Sequence, residues 1–412
     1  MTVRRSLHRG RPVAPVLVVA TTALLSVAGP AAGQMGGLYL PENGGPSDGT
    51  AQAGSAAIAR TAETAFLNPA GMTRLDAPEM LFSLMPFDLD IQFNPAAGTT
   101  TGGSNGGQQG GWLPAAGFFL AAPINEHVAL GFSITSPGGM AIDPSDDWVG
   151  RNWTIESTMV ALNFEPSLGA RLTEHWSLGV GLDIQYLTFK QKVVGPLLGN
   201  QLEIDGDSWD VGFSASVLWE PLETTRFGLR YISEISHELS GDLTVNAARP
   251  VSTSFTMPMS VTFSAYHDLS KQFALVADVG WTNWSAFDYN VITFDGAGTS
   301  TEVPRNFKDT WNISLGAHVR PADRWLVMFG AGYVSSAVSD ANRTPDLPVD
   351  EQVRASVGLE YQINDQWSVG GNYTFAWLGN NSIDQTMPIA GRIVGDYDAF
   401  AHIIGLYGSV KF

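Results

Sequence analysis

The chain has 412 residues, with 45 glycines, 12 tryptophans, 10 tyrosines and 21 phenylalanines, no cysteine, and 22 basic against 40 acidic side chains. Without cysteine neither a disulfide framework nor a thiolate metal site can be built, and a formal net charge of −18 leaves no basic face for a nucleic-acid partner. The length fits two or three globular domains or one large barrel; abundant glycine and aromatics with 15% charged residues suit many strands with aromatic ends.

Arg4, Arg5, Arg9 and Arg11 precede an uncharged run from Pro12 to Ala32 that ends in small residues around Ala28 to Gly33. This is the layout of a secretory signal with cleavage near Gln34. A membrane anchor is the competing reading, but Pro15 and the Gly29-Pro30 break argue against a spanning helix. Arg4-Arg5 also resembles a twin-arginine start. Removing residues 1–33 takes away four arginines and no acid, so 18 basic groups face 40 acidic ones and the charge becomes −22. No later uncharged apolar run approaches the ~18 residues of a membrane helix. Entry into a membrane would therefore require a barrel.

Gln34 to Asp76 does not alternate and is rich in Gly and Ala. It is less polar than a disordered tail at Ala56-Ala57-Ile58 and Phe66-Leu67. An open wide barrel would leak, so the segment is expected to fold into the lumen as a plug.

From Glu79 onward one unit repeats: an alternating stretch, then a turn. Trp176, Leu178, Val180, Leu182, Ile184 and Tyr186 share one face, while Ser177, Gly179, Gly181, Asp183 and Gln185 share the other. The segments beginning at Trp209 and Val353 split the same way. Polar groups on one face and aromatics at the strand ends are the pattern of a barrel with a wet lumen and a lipid-facing band. Counting gives a transmembrane antiparallel β-barrel of about 14 strands over residues 77–412, all-β apart from the plug.

Short turns such as Asn125-Glu126-His127 and Asn364-Asp365-Gln366 alternate with long connections. The long ones are expected at Asn94–Trp112, Pro137–Trp153, Gly195–Asp207, Gly241–Ser254, Tyr289–Phe307, Val338–Glu351 and Gly379–Asp398, on the external side. The final strand ends in Phe412, a terminal aromatic similar to the assembly signal of bacterial outer-membrane barrels.

Catalytic chemistry finds no support. The seven histidines, His8, His127, His175, His237, His267, His318 and His402, have no ligand spacing. No nucleophile elbow, phosphate loop or zinc-protease helix occurs, so no enzyme, metal or cofactor is expected. The lumen carboxylates Glu165, Asp183, Asp210, Asp278 and Glu360 are expected to pair with Arg171, Arg230, Arg320 and Arg354 rather than to serve as acid and base. A barrel lipase or a structural or adhesion barrel are the readings from other classes. Asp143, Asp146, Asp147, Asp340 and Asp346 in the long loops read as solvated acids before they read as divalent-cation ligands.

An ordered set of motifs then carries a resemblance. Gly54-Ser55-Ala56-Ala57, Thr64 to Met72 with Asn68-Pro69-Ala70 at its centre, Trp148-Val149-Gly150-Arg151, Asn163 to Gly169, Gly228-Leu229-Arg230-Tyr231 and Trp281 to Ser285 resemble the outer-membrane long-chain fatty acid and aromatic hydrocarbon transport family (FadL/TodX type). The resemblance implies a monomeric fourteen-stranded barrel in the bacterial outer membrane, with Asn68, Pro69 and Ala70 on a hatch filling its lumen. It implies uptake of a hydrophobic molecule, a fatty acid or alternatively a monoaromatic hydrocarbon: capture by external loops, passage to an apolar lumen pocket, and sideways exit by a kinked third strand. That strand would be Val128 to Thr135, with Gly131, Phe132 and Ser133 at the exit. Outer-membrane lipid and detergent-like molecules are the other expected partners. Leu187, Leu197, Leu198, Leu202, Leu218 and Tyr266 are the expected ligand contacts. The short Gly195–Asp207 connection leaves shorter or aromatic hydrocarbons open as substrates.

Overall fold

The computed structural model describes residues 41–412 apart from 197–198, 245–247, 295–298 and 389. The expected signal over residues 1–33, residues 34–40 of the expected plug, and the candidate contacts Leu197 and Leu198 lie outside the described residues.

Fourteen antiparallel strands form one closed barrel. They are β1 (Glu79–Pro95), β2 (Gly111–Pro123), β3 (Val128–Ile142), β4 (Glu156–Arg171), β5 (Trp176–Val194) and β6 (Gln201–Leu222). Four interrupted strands follow: β7 (Thr225–Ile232 and Ile235–Thr244), β8 (Ala248–Met257 and Ser260–Asp268), β9 (Phe273–Thr282 and Tyr289–Phe294) and β10 (Thr299–Pro304 and Thr310–Ala322). The last are β11 (Trp325–Val334), β12 (Gln352–Gln362), β13 (Trp367–Trp377) and β14 (Gly391–Lys411), with Ser382–Met387 pairing back on β14 as an external hairpin. Closure comes from β1 against β14, from Glu79↔Lys411 to Pro95↔Gly395, so the first and last strands cover each other's edges.

The alternation sets what faces where. Leu178, Val180 and Leu182 point outward and are exposed, whereas Ser177, Gly179 and Asp183 point into the lumen and are buried. Trp176 stacks on Trp219 at 5.5 Å and Trp219 on Phe227 at 5.3 Å near the short turns. Ten residues up β5 and β6, Tyr186 and Phe164 pack on Trp209 at 4.9 and 5.9 Å. Two aromatic girdles thus bracket an apolar band roughly 25 Å tall.

Three expected external loops are largely strand. Pairing continues to Val194↔Gln201, Thr244↔Ala248 and Phe294↔Thr299, so Gly195–Asp207, Gly241–Ser254 and Tyr289–Phe307 are mostly hairpin arms. Their Gly, Asp and Ser content resembles loop composition because strands beyond the bilayer no longer need an apolar outer face.

Candidate functional site

The segment preceding β1 enters the barrel and is held by inward side chains of most strands. It contains two single-turn helices, α1 (Ser55–Ile58) and α2 (Thr64–Leu67), between the 3-10 turns Pro46–Thr50 and Pro69–Arg74. Ser83 of β1 donates to Asn43 O, Ser167 of β4 to Ala65 O, and Asn372 of β13 to Gly45 O. Asp278 of β9 accepts from Gly54 N at 2.7 Å and Ser55 Oγ at 2.6 Å, and Arg226 of β7 donates to Ala57 O and Ile58 O. Arg60 forms a two-pronged ion pair with Glu360 of β12 at 2.6 and 2.8 Å, and Glu42 pairs with Arg354 at 2.8 Å.

These contacts revise the expected lumen network. Glu360, Asp278 and Arg354 are matched by groups of the hatch, because the hatch occupies the space across which the barrel's own charges would have met. Arg171 donates to Thr73 O, and Arg320 pairs with Asp268 at the short-turn end. Of the expected barrel-to-barrel pairs, Arg230–Glu165 is present at 3.6 Å, longer than a hydrogen bond.

Asn68 is buried and satisfied on both ends of its amide. Its Oδ1 accepts from Ala70 N at 3.1 Å, capping the turn that Pro69 opens, while Nδ2 donates to Ala56 O and Val217 O. The fixed φ of Pro69 and its missing N–H suit the first position of that turn. Glycine lets the wall approach the hatch backbone: a Cβ on Gly179 would strike Ala70 N, one on Gly228 would strike Ala56 O, and one on Gly330 would strike Thr50 O.

Three buried acids sit together within the hatch. Burial, and then the neighbouring Glu42 and Glu63, raise the carboxyl of Asp48 well above its usual range. Burial pushes Glu63 up to about 6 against the pull of its hydrogen bonds from Ser47.

Above the hatch the lumen holds two chambers. The outer one, about 400 Å³, is lined by Phe189, Ile204, Leu239, Phe255, Phe287 and Leu347 among others, with the Arg305–Asp346 ion pair at 2.9 Å on its wall. The inner one, about 130 Å³, lies on Ala56, Phe66 and Leu67 of the hatch and is roofed by Trp284 and Phe307. Between them Phe255 meets Phe287 at 4.8 Å, Phe287 meets Phe307 edge-on at 5.1 Å, and Phe307 meets Trp284 at 6.1 Å. Aromatic side chains therefore stand as a partition between the outer and inner chambers.

The wall is broken beside the inner chamber. Pairing of β3 with β2 runs only from Pro123↔Ala129 to Phe118↔Ile134, although β2 stays paired with β1 as far as Gly111. Against β4 the register of β3 shifts between Thr135 and Gly138, since Pro137 has no N–H for the ladder. A cavity of about 40 Å³ runs from Pro137 to Phe66 and shares Arg230, Ile232 and Ser260 with the inner chamber. Gly131, Phe132 and Ser133 lie just below the break. They are paired on both sides, with Ala121, Leu120 and Phe119 of β2 and with Ser167, Pro166 and Glu165 of β4.

The expected ligand contacts are scattered. Leu187 is buried in the apolar cluster that contains the partition aromatics. Leu202 is half-buried opposite Val193, one inward position beyond the chamber-lining Ile204. Leu218 instead packs on Ala59 and Ala70, and Tyr266 on Ala53 and Ala57, so both brace the hatch. Sequence reasoning chose them as greasy residues on the lumen face and could not know that the hatch covers that part of it. It missed Phe255 and Phe287, which flank segments read as loops, and Phe307, which ends one of them; their aromatic spacing among polar residues was the available signal.

Residues 23–412 match the family described as outer membrane protein transport protein (OMPP1/FadL/TodX). The chain belongs to this family. Among the relatives of this family member, the long-chain fatty acid transport protein of Escherichia coli O6:H1 is 26% identical over 386 residues, covering 82% of this chain and 86% of that protein. The 47 kDa outer membrane protein of Pasteurella multocida is 25% identical over 429 residues, covering 95% and 97%. In fold, the chain superposes on a Pseudomonas aeruginosa FadL homologue with a TM-score of 0.85 at 21% identity, covering 91% of this chain and 100% of that one. The Ralstonia pickettii toluene transporter TbuX gives 0.67 at 16% identity, covering 89% and 97%. Family and barrel together place the protein in the bacterial outer membrane.

Proposed function

We propose that the protein is a monomeric outer-membrane channel that takes up hydrophobic compounds, long-chain fatty acids foremost, and releases them sideways rather than through its floor. Residues 1–33 act as a signal, 34–76 as the hatch and 77–412 as the channel wall. The observation that carries this reading is the seam between β2 and β3, which lies beside the inner chamber whose floor is filled by the buried hatch. An apolar solute gains nothing from a water-filled pore but keeps its burial by moving along nonpolar wall into lipid. The relatives named as fatty acid transport proteins favour a fatty acid over a monoaromatic hydrocarbon, and description of the family as transporters favours carriage over catalysis. The expected exit residues become neighbours of the portal, with Ser136 and Pro137 at it.

Deleting Pro137 alone leaves Ser136 opposite Leu162, restores a one-to-one register from Asn163 to Ala161 and should close the seam. Uptake of labelled oleate by cells is expected to fall at least roughly tenfold while purified protein still binds oleate; the seam then limits passage and not capture. Uptake undiminished in a correctly assembled variant would rule out lateral release.

A further inference from the structure

Arg230 is an arginine whose hydrogen-bonding edge has no partner. It is buried, yet Nε and Nη2 have no hydrogen-bond partner among the described residues. Its guanidinium lies over the ring of Phe66 on the hatch, 4.3 Å from the centroid. Its nearest counter-charge, Glu165 Oε2, is 3.6 Å away and equally without a hydrogen-bond partner, because Glu165 uses its other oxygen to accept from Ser214 at 2.6 Å. By contrast Arg305 of the outer chamber is engaged by Asp346, Asn290 and Thr344. A buried cation left without its hydrogen bonds is costly, so such an edge calls for an acceptor.

Nε and Nη2 form the side of a guanidinium that takes a carboxylate with two parallel bonds. They belong to a residue lining both the inner chamber and the small cavity that reaches Pro137 at the seam. We infer that Arg230 receives the carboxylate of an amphiphilic ligand, displacing Glu165, and so makes the inner chamber selective for acids over neutral hydrocarbons of equal length. The ligand's tail lies against Phe66, Leu67, Ile232, Trp284 and Phe307. Because the same guanidinium rests on Phe66, arrival of the acid at Arg230 touches the hatch directly. This inference rests on the hydrophobic-channel reading above and names the substrate class of its inner site.

The test compares dodecanoate with dodecanol binding to the full chain in nanodiscs. Wild type is expected to prefer dodecanoate by roughly 10- to 100-fold, the range of a charge-assisted bidentate pair. Arg230→Met should abolish the preference and leave dodecanol binding unchanged, while Arg230→Lys should keep part of it. Glu165→Gln removes the competing acid and should tighten dodecanoate several-fold without affecting dodecanol; this variant carries the test if Arg230→Met fails to fold. Equal loss of both ligands in Arg230→Met, or no change in either Arg230→Met or Glu165→Gln, overturns the inference while leaving the channel intact. Wild type that binds neither molecule overturns the channel reading and the inference with it.

Discussion

At the residue scale, the hatch is held by polar groups that have no alternative partner once buried. Asn68 shows this most clearly, since one amide satisfies Ala70 N, Ala56 O and Val217 O. Asn68→Ala should weaken hatch docking by about 1–3 kcal/mol, the cost of leaving buried groups unpaired. Faster amide exchange confined to residues 55–72, with the barrel unchanged, is the expected readout. Glu63 adds a pH dependence. Its carboxyl lies at about 6 when docked and near ~4.3 in a released chain. A raised acid binds its proton more tightly in the docked state, so docking is firmest at low pH and weakens as pH rises through that window. Its share is roughly 2 kcal/mol between pH 4 and 7; Glu63→Gln should remove that share in the same exchange experiment and leave the part carried by Asp48, which is raised in the same sense. The Asn68-Pro69-Ala70 motif was visible in the sequence, but the two partners of the Asn68 Nδ2 were not, because Ala56 O and Val217 O come from α1 and β6.

At the element scale, the proposed route runs past the aromatic partition and the break in β3. Alternation predicted a strand from Val128, and the family resemblance implied an exit at Gly131, Phe132 and Ser133; the register of β3 breaks a few residues further on, at Ser136-Pro137. Residues 131–133 have partners on both flanks, and partner choice is a property of neighbouring strands that no single segment encodes. The partition divides two chambers with few side chains, of which Phe307 touches both Phe287 and Trp284. Phe307→Ala should merge the chambers. Uptake of a bulky branched acid is expected to rise relative to a straight one, measured by competition in whole cells; an unchanged ratio would mean that the partition does not set ligand width.

At the scale of the whole molecule, the backbone ladder of the wall closes without the hatch. Wall hydrogen bonds run between adjacent strands around a closed ring, and the lipid-facing band does not involve the hatch. Deleting Gln34 to Asp76 should therefore give a barrel that still assembles, shown by heat-modifiable migration on gels. In planar bilayers it should conduct ions well above the wild-type level, because the packed floor is gone. A deletion variant that assembles but conducts like wild type would show that something other than the hatch seals the lumen.

The number of strands, the lipid-facing faces and the presence of a non-alternating segment before them were determined by the sequence alone, since a period of two and the spacing of turns are local properties. The motifs from Gly54 to Ser285 carried the family as well. Only the tertiary structure decided which lumen residues join the apolar cluster above the hatch and which meet the hatch. Leu187, Leu218 and Tyr266 are alike in sequence terms, each a large residue on an inward face, yet Leu187 joins the partition cluster while Leu218 and Tyr266 brace Ala59, Ala70, Ala53 and Ala57. Height along the barrel axis separates them, and that height is fixed by strand register and by where the hatch comes to rest. Arg230 belongs to the same lesson: its charge was legible from the start, but its unpartnered edge exists only where β7, Glu165 and Phe66 come together.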